Sequence, residues 1–201
     1  MIRKSEEGIA ILRLFTEALG EYVCARLSDL PEKPVASFAL PGGIRGQNAL
    51  NLYFCALAED ADLRSNEKEF ERVGDAWVSL LPPLRLKCTY IVSAWPDTPD
   101  PEEAALVQIR LLSRACAVFA ASGNIPAAYL PAELNTAGLP KPLVSLIDHD
   151  LPKRPDFWSL AGCAFHPSFS LSATISIPIA ETSYDHIVEE LQIKYINGLT
   201  G

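Results

Sequence analysis

The 201-residue sequence is short of the groupings that usually carry chemistry. No two of its five cysteines (Cys24, Cys55, Cys88, Cys116, Cys163) stand as C-x-x-C, the close pairing on which zinc sites are normally built. An odd set of thiols, each in an apolar run, reads as reduced and buried in a reducing compartment. Lysine and arginine total 17 against 25 acidic residues, a net charge of −8, with no basic run longer than two. Non-specific binding of nucleic acid needs clustered basic side chains that release counterions, so the composition argues against it. There is no G-x-S-x-G elbow, no P-loop and no dinucleotide fingerprint, which removes the common routes to a serine nucleophile or a cradled phosphate. "PGGIRGQN" (41–48) therefore reads as a connection between strands. Repeats and low-complexity tracts are also lacking. The N-terminal "MIRKSEEGIAILRLF" follows a basic start with two glutamates, and Arg13 and Glu17 break its apolar stretch. It reads neither as a signal peptide nor as a membrane span, and the expectation is a chain made in the cytosol and soluble at first.

What is present is ordinary globular composition, 49% apolar and 21% charged, at a length suited to one hydrophobic core. Apolar residues recurring every three to four positions predict an amphipathic helix over 5–30, capped by Ser5 and stopped by Pro31. Short strands are expected at 35–40, 49–57 and 82–95, with "AEDADLRSNEKEFERVGD" as a polar loop between the last two. "DPEEAALVQIRLLSRACAVFAASGN" (100–124) carries the strongest local signal. Asp100 is an N-cap, Pro101 sits at the first helical position, and Glu103 completes a capping box. This helix is apolar around much of its circumference, which predicts burial on more than one side. Prolines 126, 131, 140 and 142 break the following segment into turns. A strand is expected at 142–148, a short helix or turn at 155–162, and a strand at 169–179. In that last strand Phe169, Leu171, Ala173, Ile175, Ile177 and Ile179 alternate with serines and Thr174, as in an edge or one-side-solvated strand. The tail, 181–201, has a weak helical pattern through Tyr184, Ile187, Val188, Leu191 and Tyr195. The fold class expected is α/β (α+β): a mostly antiparallel mixed sheet packed by two main helices, in a domain spanning 1–180, with 181–201 as a C-terminal tail.

Candidate chemistry rests on three histidines. His166 and Ser168 lie close enough in sequence to suggest a small hydrolase or ligand-binding enzyme, but the bland reading of "FHPS" is a turn leading into a strand. His149 lies between Asp148 and Asp150, where only the two carboxylates would converge in an extended segment, and a polar turn accounts for the same residues. Trp77, Trp95 and Trp158 read as core or interface anchors. No catalytic, cofactor-binding or metal-binding residues are assigned. An adaptor forming a one-to-one complex remains a further alternative.

Four segments in order, "ALNLYFCALAEDADLRSNE", "LPPLRLKCTYIVSAW", "EEAALVQIRLLSRACAVFA" and "FWSLAGCAFHPSFSLSATISIPI", resemble the N-terminal domain of the tube-terminator, or cap, family of contractile injection systems. These are phage tail-like particles of the antifeeding-prophage and virulence-cassette type. The likeness runs from about Leu12 to Ile179. It departs at His166, where the family usually has Arg, at Phe169 for Leu, at Leu171 near the usual aromatic, and at Ser65 for the first Asn of Leu-Arg-Asn-Asn.

The resemblance implies a phage tail-terminator-like fold and a structural role without enzyme activity or cofactor. It implies a homo-hexameric ring that ends the inner tube and anchors the top of the sheath. The inner tube protein and the sheath protein would then be partners, a paralogous cap subunit a further one, and nucleic acid and small-molecule substrates none. It also implies assembly in the bacterial cytoplasm into a particle that is later released or membrane-anchored. The candidate interface residues are Trp158, Phe169, Tyr184, Leu191 and Tyr195. Either the 168–179 strand or the tail 181–201 is expected to reach a neighbouring subunit, by strand addition or helix docking.

Overall fold

Alternating apolar positions in three long strands create one continuous hydrophobic sheet face, and two helices are needed to cover it. The computed structural model describes residues 3–44, 46–64, 69–73, 76–135, 139–178 and 182–184. In chain order the elements are α1 (Arg3–Arg26), β1 (Val35–Ser37), β2 (Ala49–Glu59), β3 (Glu69–Val73), β4 (Ala76–Leu80) and β5 (Leu84–Trp95). They continue with α2 (Pro101–Ala121), β6 (Leu143–Ile147), α3 (Pro155–Leu160), β7 (Ser168–Ile177) and β8 (Thr182–Tyr184). The chain divides into two compact units, one of residues 1–64 and 83–178 and one of residues 65–82 and 179–201.

The first unit holds a five-stranded sheet in the order β1-β2-β5-β7-β6. Only β1 and β2 are parallel; the other pairs are antiparallel. Leu50 and Leu52 of β2, Cys88, Tyr90 and Val92 of β5, and Leu171, Ala173 and Ile175 of β7 share one buried cluster. Helix α1 adds Phe15, Leu19, Tyr22 and Val23 to it, and α2 adds Val107, Leu111, Ala115 and Phe119. The expected mixed sheet with two main helices is thus the architecture of this unit. Helix α1 ends earlier than Pro31 would dictate. After Arg26 the chain tightens into turns in which Leu27 N–H donates to Cys24 O (3.1 Å) and Leu30 N–H to Leu27 O (3.1 Å). Ser5 lies inside α1 and so is not its cap. Asp100 does cap α2, accepting from Glu102 N–H at 3.0 Å. Glu103 instead faces Arg110 at 3.9 Å.

Three expectations need correction. β7 is neither an edge strand nor solvated on one side: it pairs with β5 and β6 at once, and Ser170, Ser172 and Ser176 on its serine face are buried. Serines read as polar but are small enough to pack beneath a covering segment. Helix α2 is buried along one stripe only, with Leu106 54% and Ile109 60% exposed, because a single sheet face and α1 cover one side of it. The stretch between β2 and β5 is not just a loop: β3 and β4 form an antiparallel hairpin, and β8 pairs with β4 in a three-stranded sheet of the second unit. The charge density of "EKEFER" conceals a strand that lacks an apolar face in the sequence.

Candidate functional site

The stretch that carries the family likeness most densely, Asp156 to Ile177, is organised around one tryptophan. Pro152 opens a 3-10 turn, Pro155 begins α3, and Gly162 follows it with φ +79°, in the left-handed region that glycine tolerates. This tight entry and exit turn Trp158 inward. It is fully buried, and its indole Nε1–H donates to Pro152 O at 2.8 Å. Phe157, Phe165 and His166 pack around it, and Phe157 meets Tyr53 of β2 at 6.1 Å. The segment therefore roofs the sheet face opposite α1 and α2. Gly42 makes the roof possible on its other side, since a Cβ there would stand 2.0 Å from Ala161 O.

His166 locks this roof to the end of the sheet. Its ring stacks on Trp95 at 4.0 Å and 7°. Its Nε2–H donates to Ala94 O at 2.8 Å. The Gln108 amide of α2 touches the same nitrogen and donates to Ala94 O at 3.0 Å. Burial holds the imidazole below its ordinary pKa, while the Ala94 hydrogen bond works the other way. With Nε2 taken up by Ala94 and Gln108, the base of a His166–Ser168 dyad is committed elsewhere, and among the described residues no hydrogen bond joins the two. A buried, neutral, doubly engaged histidine fixes structure; it does not shuttle a proton.

The "DHD" motif resolves as a turn. His149 Nδ1 accepts from Leu151 N–H at 3.1 Å, and Lys153 pairs with both Asp148 and Asp150. The thiols sit where expected: burial pushes Cys24 and Cys55 up to about 11 and Cys88 up to about 12, so none is activated as a nucleophile.

What the surface offers is apolar contact. Leu160 and Phe165 project from the roof, 85% and 62% exposed. On α2, Leu106 and Ile109 point outward, and on the opposite flank Phe38 and Phe54 line a groove against Leu12 and Thr16 of α1, about 390 Å³ in volume. Of the interface residues expected from sequence, Trp158 has no surface to offer, being the centre of the roof. Phe169 is half-buried and meets Phe119 of α2 edge-on at 6.3 Å. Tyr184 closes β8, and Leu191 and Tyr195 lie outside the described residues. Leu106, Ile109, Phe38 and Phe54 were missed. For α2 the signal existed: from Ala105 to Ala121 its only charges are Arg110 and Arg114, more apolar surface than one buried stripe requires.

A family model described as the Pvc16 N-terminal domain matches residues 14–187. No curated protein matches the chain. Among solved structures, the sheath/tube terminator of an extracellular contractile injection system, PVC, in its extended state, aligns with TM-score 0.60 and 18% identity over 91% of this chain. The tube-terminating cap of the anti-feeding prophage aligns with TM-score 0.58 and 18% identity over 87% of it. The chain spans 64% and 59% of those two proteins. At such identities the likeness is one of fold.

Proposed function

The chain belongs to the Pvc16 N-terminal domain family, and on that premise we propose that it is a structural cap of a contractile injection system. It ends the inner tube and holds the top of the sheath, as a ring of identical subunits within a phage tail-like particle. The observation that carries this reading is the family match over residues 14–187. The fold likeness to the two terminators supports it, as does a motif-bearing segment built for rigidity rather than turnover.

A terminator must bind the open end of a polymer and present no equivalent surface above it. A closed ring of heterologous contacts meets both conditions. The proposed hexamer follows the number implied by the family resemblance. The chain after β8, residues 185–201, is proposed as the arm that reaches a neighbour. The strand at 168–177 is ruled out for that task, because both of its edges are paired. Assembly is proposed to occur in the bacterial cytoplasm, with the particle as its destination.

The test is co-assembly with the cognate inner tube protein. Tubes polymerised with the chain should carry it at one end in stoichiometric rings and should stop growing there. A chain that stays monomeric and never co-purifies with tube or sheath would contradict the reading.

A further inference from the structure

The first unit carries two exposed apolar surfaces on different flanks. One is the outward strip of α2, where Leu106 and Ile109 are more than half exposed and the residues that follow at helical spacing, Ser113, Cys116 and Ala120, are small and uncharged. The other is the groove formed by Leu12 and Thr16 of α1 with Phe38 and Phe54. Helix α1 stands between them. Its Gly20 approaches Phe38 so closely that a Cβ would lie 2.7 Å from the ring, while just beyond its other end Asp29 pairs with Arg114 of α2 at 3.0 Å.

The shapes are complementary. The strip is a convex ridge, and the groove is concave with a mainly hydrophobic lining. The charges agree as well: Arg13, 80% exposed, rims the groove, and Glu102 and Glu103 stand one turn before Leu106. A lipid surface suits the strip less well, because α2 carries Arg110 and Arg114 on its flank, held to Glu32 and Asp29.

We infer that the α2 strip of one copy seats in the α1–β1 groove of the next copy, as the head-to-tail contact of a ring. The inference rests on the cap reading for the ring, though not for the contact itself. Two different patches on separate flanks cannot satisfy each other in one symmetric dimer; each needs a new copy, and the series closes only as a ring.

The experiment uses the full chain, wild type and two variants, Ile109→Glu in the strip and Phe38→Glu in the groove. Arg13→Glu serves as a second groove variant should Phe38→Glu fail to fold. Self-association is followed by analytical ultracentrifugation, and ring occupancy on tube ends by electron microscopy. Each variant should lower ring occupancy about tenfold or more, the effect of a charge placed on a buried interface anchor. An equimolar mixture of the two should form pairs, since one intact contact remains, but no rings. Wild-type occupancy in both variants, or a mixture that forms no pairs, overturns the inference. So does binding of wild type to phosphatidylglycerol vesicles that Ile109→Glu abolishes, which would assign the strip to a membrane. Capping that persists in both variants sinks this contact and leaves the cap reading standing. Wild-type pairing through these patches without any tube capping does the reverse.

Discussion

His166 shows how a residue that looks catalytic in sequence becomes a fastener in three dimensions. Stacked on Trp95 and bonded to Ala94 O, it is held neutral by burial, below its ordinary 6.5. The unfolded chain binds a proton there more readily than the folded one. The contribution of the neutral ring is therefore complete above pH 6.5 and is lost as pH falls through the lower folded value. Urea midpoints measured from pH 7.5 to pH 5 should fall more steeply for wild type than for His166→Phe, which keeps a stacking ring but cannot titrate. Parallel curves would remove His166 from the pH dependence. Trp158→Ala should cost about 3–5 kcal/mol, the range for emptying a large buried aromatic site. Gly42→Ala should cost about 1–3 kcal/mol by forcing a Cβ onto Ala161 O. Both are read as shifts in denaturation midpoint. The thiols make an easier check: with Cys88 pushed up to about 12 and Cys24 and Cys55 to about 11, alkylation of these three by iodoacetamide at pH 8 should be far slower than of an unfolded control. Rapid labelling of the native chain would contradict their burial.

At the scale of elements, local rules and tertiary context divided the outcome. Removing the N-cap of α2 with Asp100→Ala should destabilise the fold by about 1 kcal/mol; an unchanged midpoint would mean that the bond to Glu102 N–H contributes nothing. Helices α1 and α2 and strands β2, β5, β6 and β7 were legible because their signals are local: apolar periodicity, a capping aspartate, prolines at entry points. The β3–β4 hairpin was illegible because "EKEFER" has the composition of a solvated loop. The burial of Ser170, Ser172 and Ser176 was illegible for a different reason. It depends on the roof from Leu151 to His166, which is distant in sequence from the strands it covers. Trp158 was legible as an anchor, but which way it faced was settled by Pro152 and Gly162. The outward-facing residues of α2 could be read only once its buried side was known. The arm has its own test: ending the chain after Tyr184 keeps β8 paired with β4 and should leave thermal unfolding unchanged while reducing incorporation into particles. Full incorporation of the truncated chain would show that residues 185–201 are not the arm.

At the scale of the whole molecule, the chain is a rigid wedge of sheet and helices whose exposed apolar residues have no partner within it. A net charge of −8 keeps such a chain soluble before assembly. The apolar strip and groove then become useful only at the high local concentration that a tube end provides, where each subunit already bound offers a contact to the next. This explains how a cap can be monomeric in isolation and closed on its template. The most direct measurement is cryo-electron microscopy of tubes polymerised from the inner tube protein with and without this chain. The account predicts a closed ring of this fold on one end of each tube, and a tube length that shortens as the chain is added. Bare ends and an unchanged length distribution would contradict it.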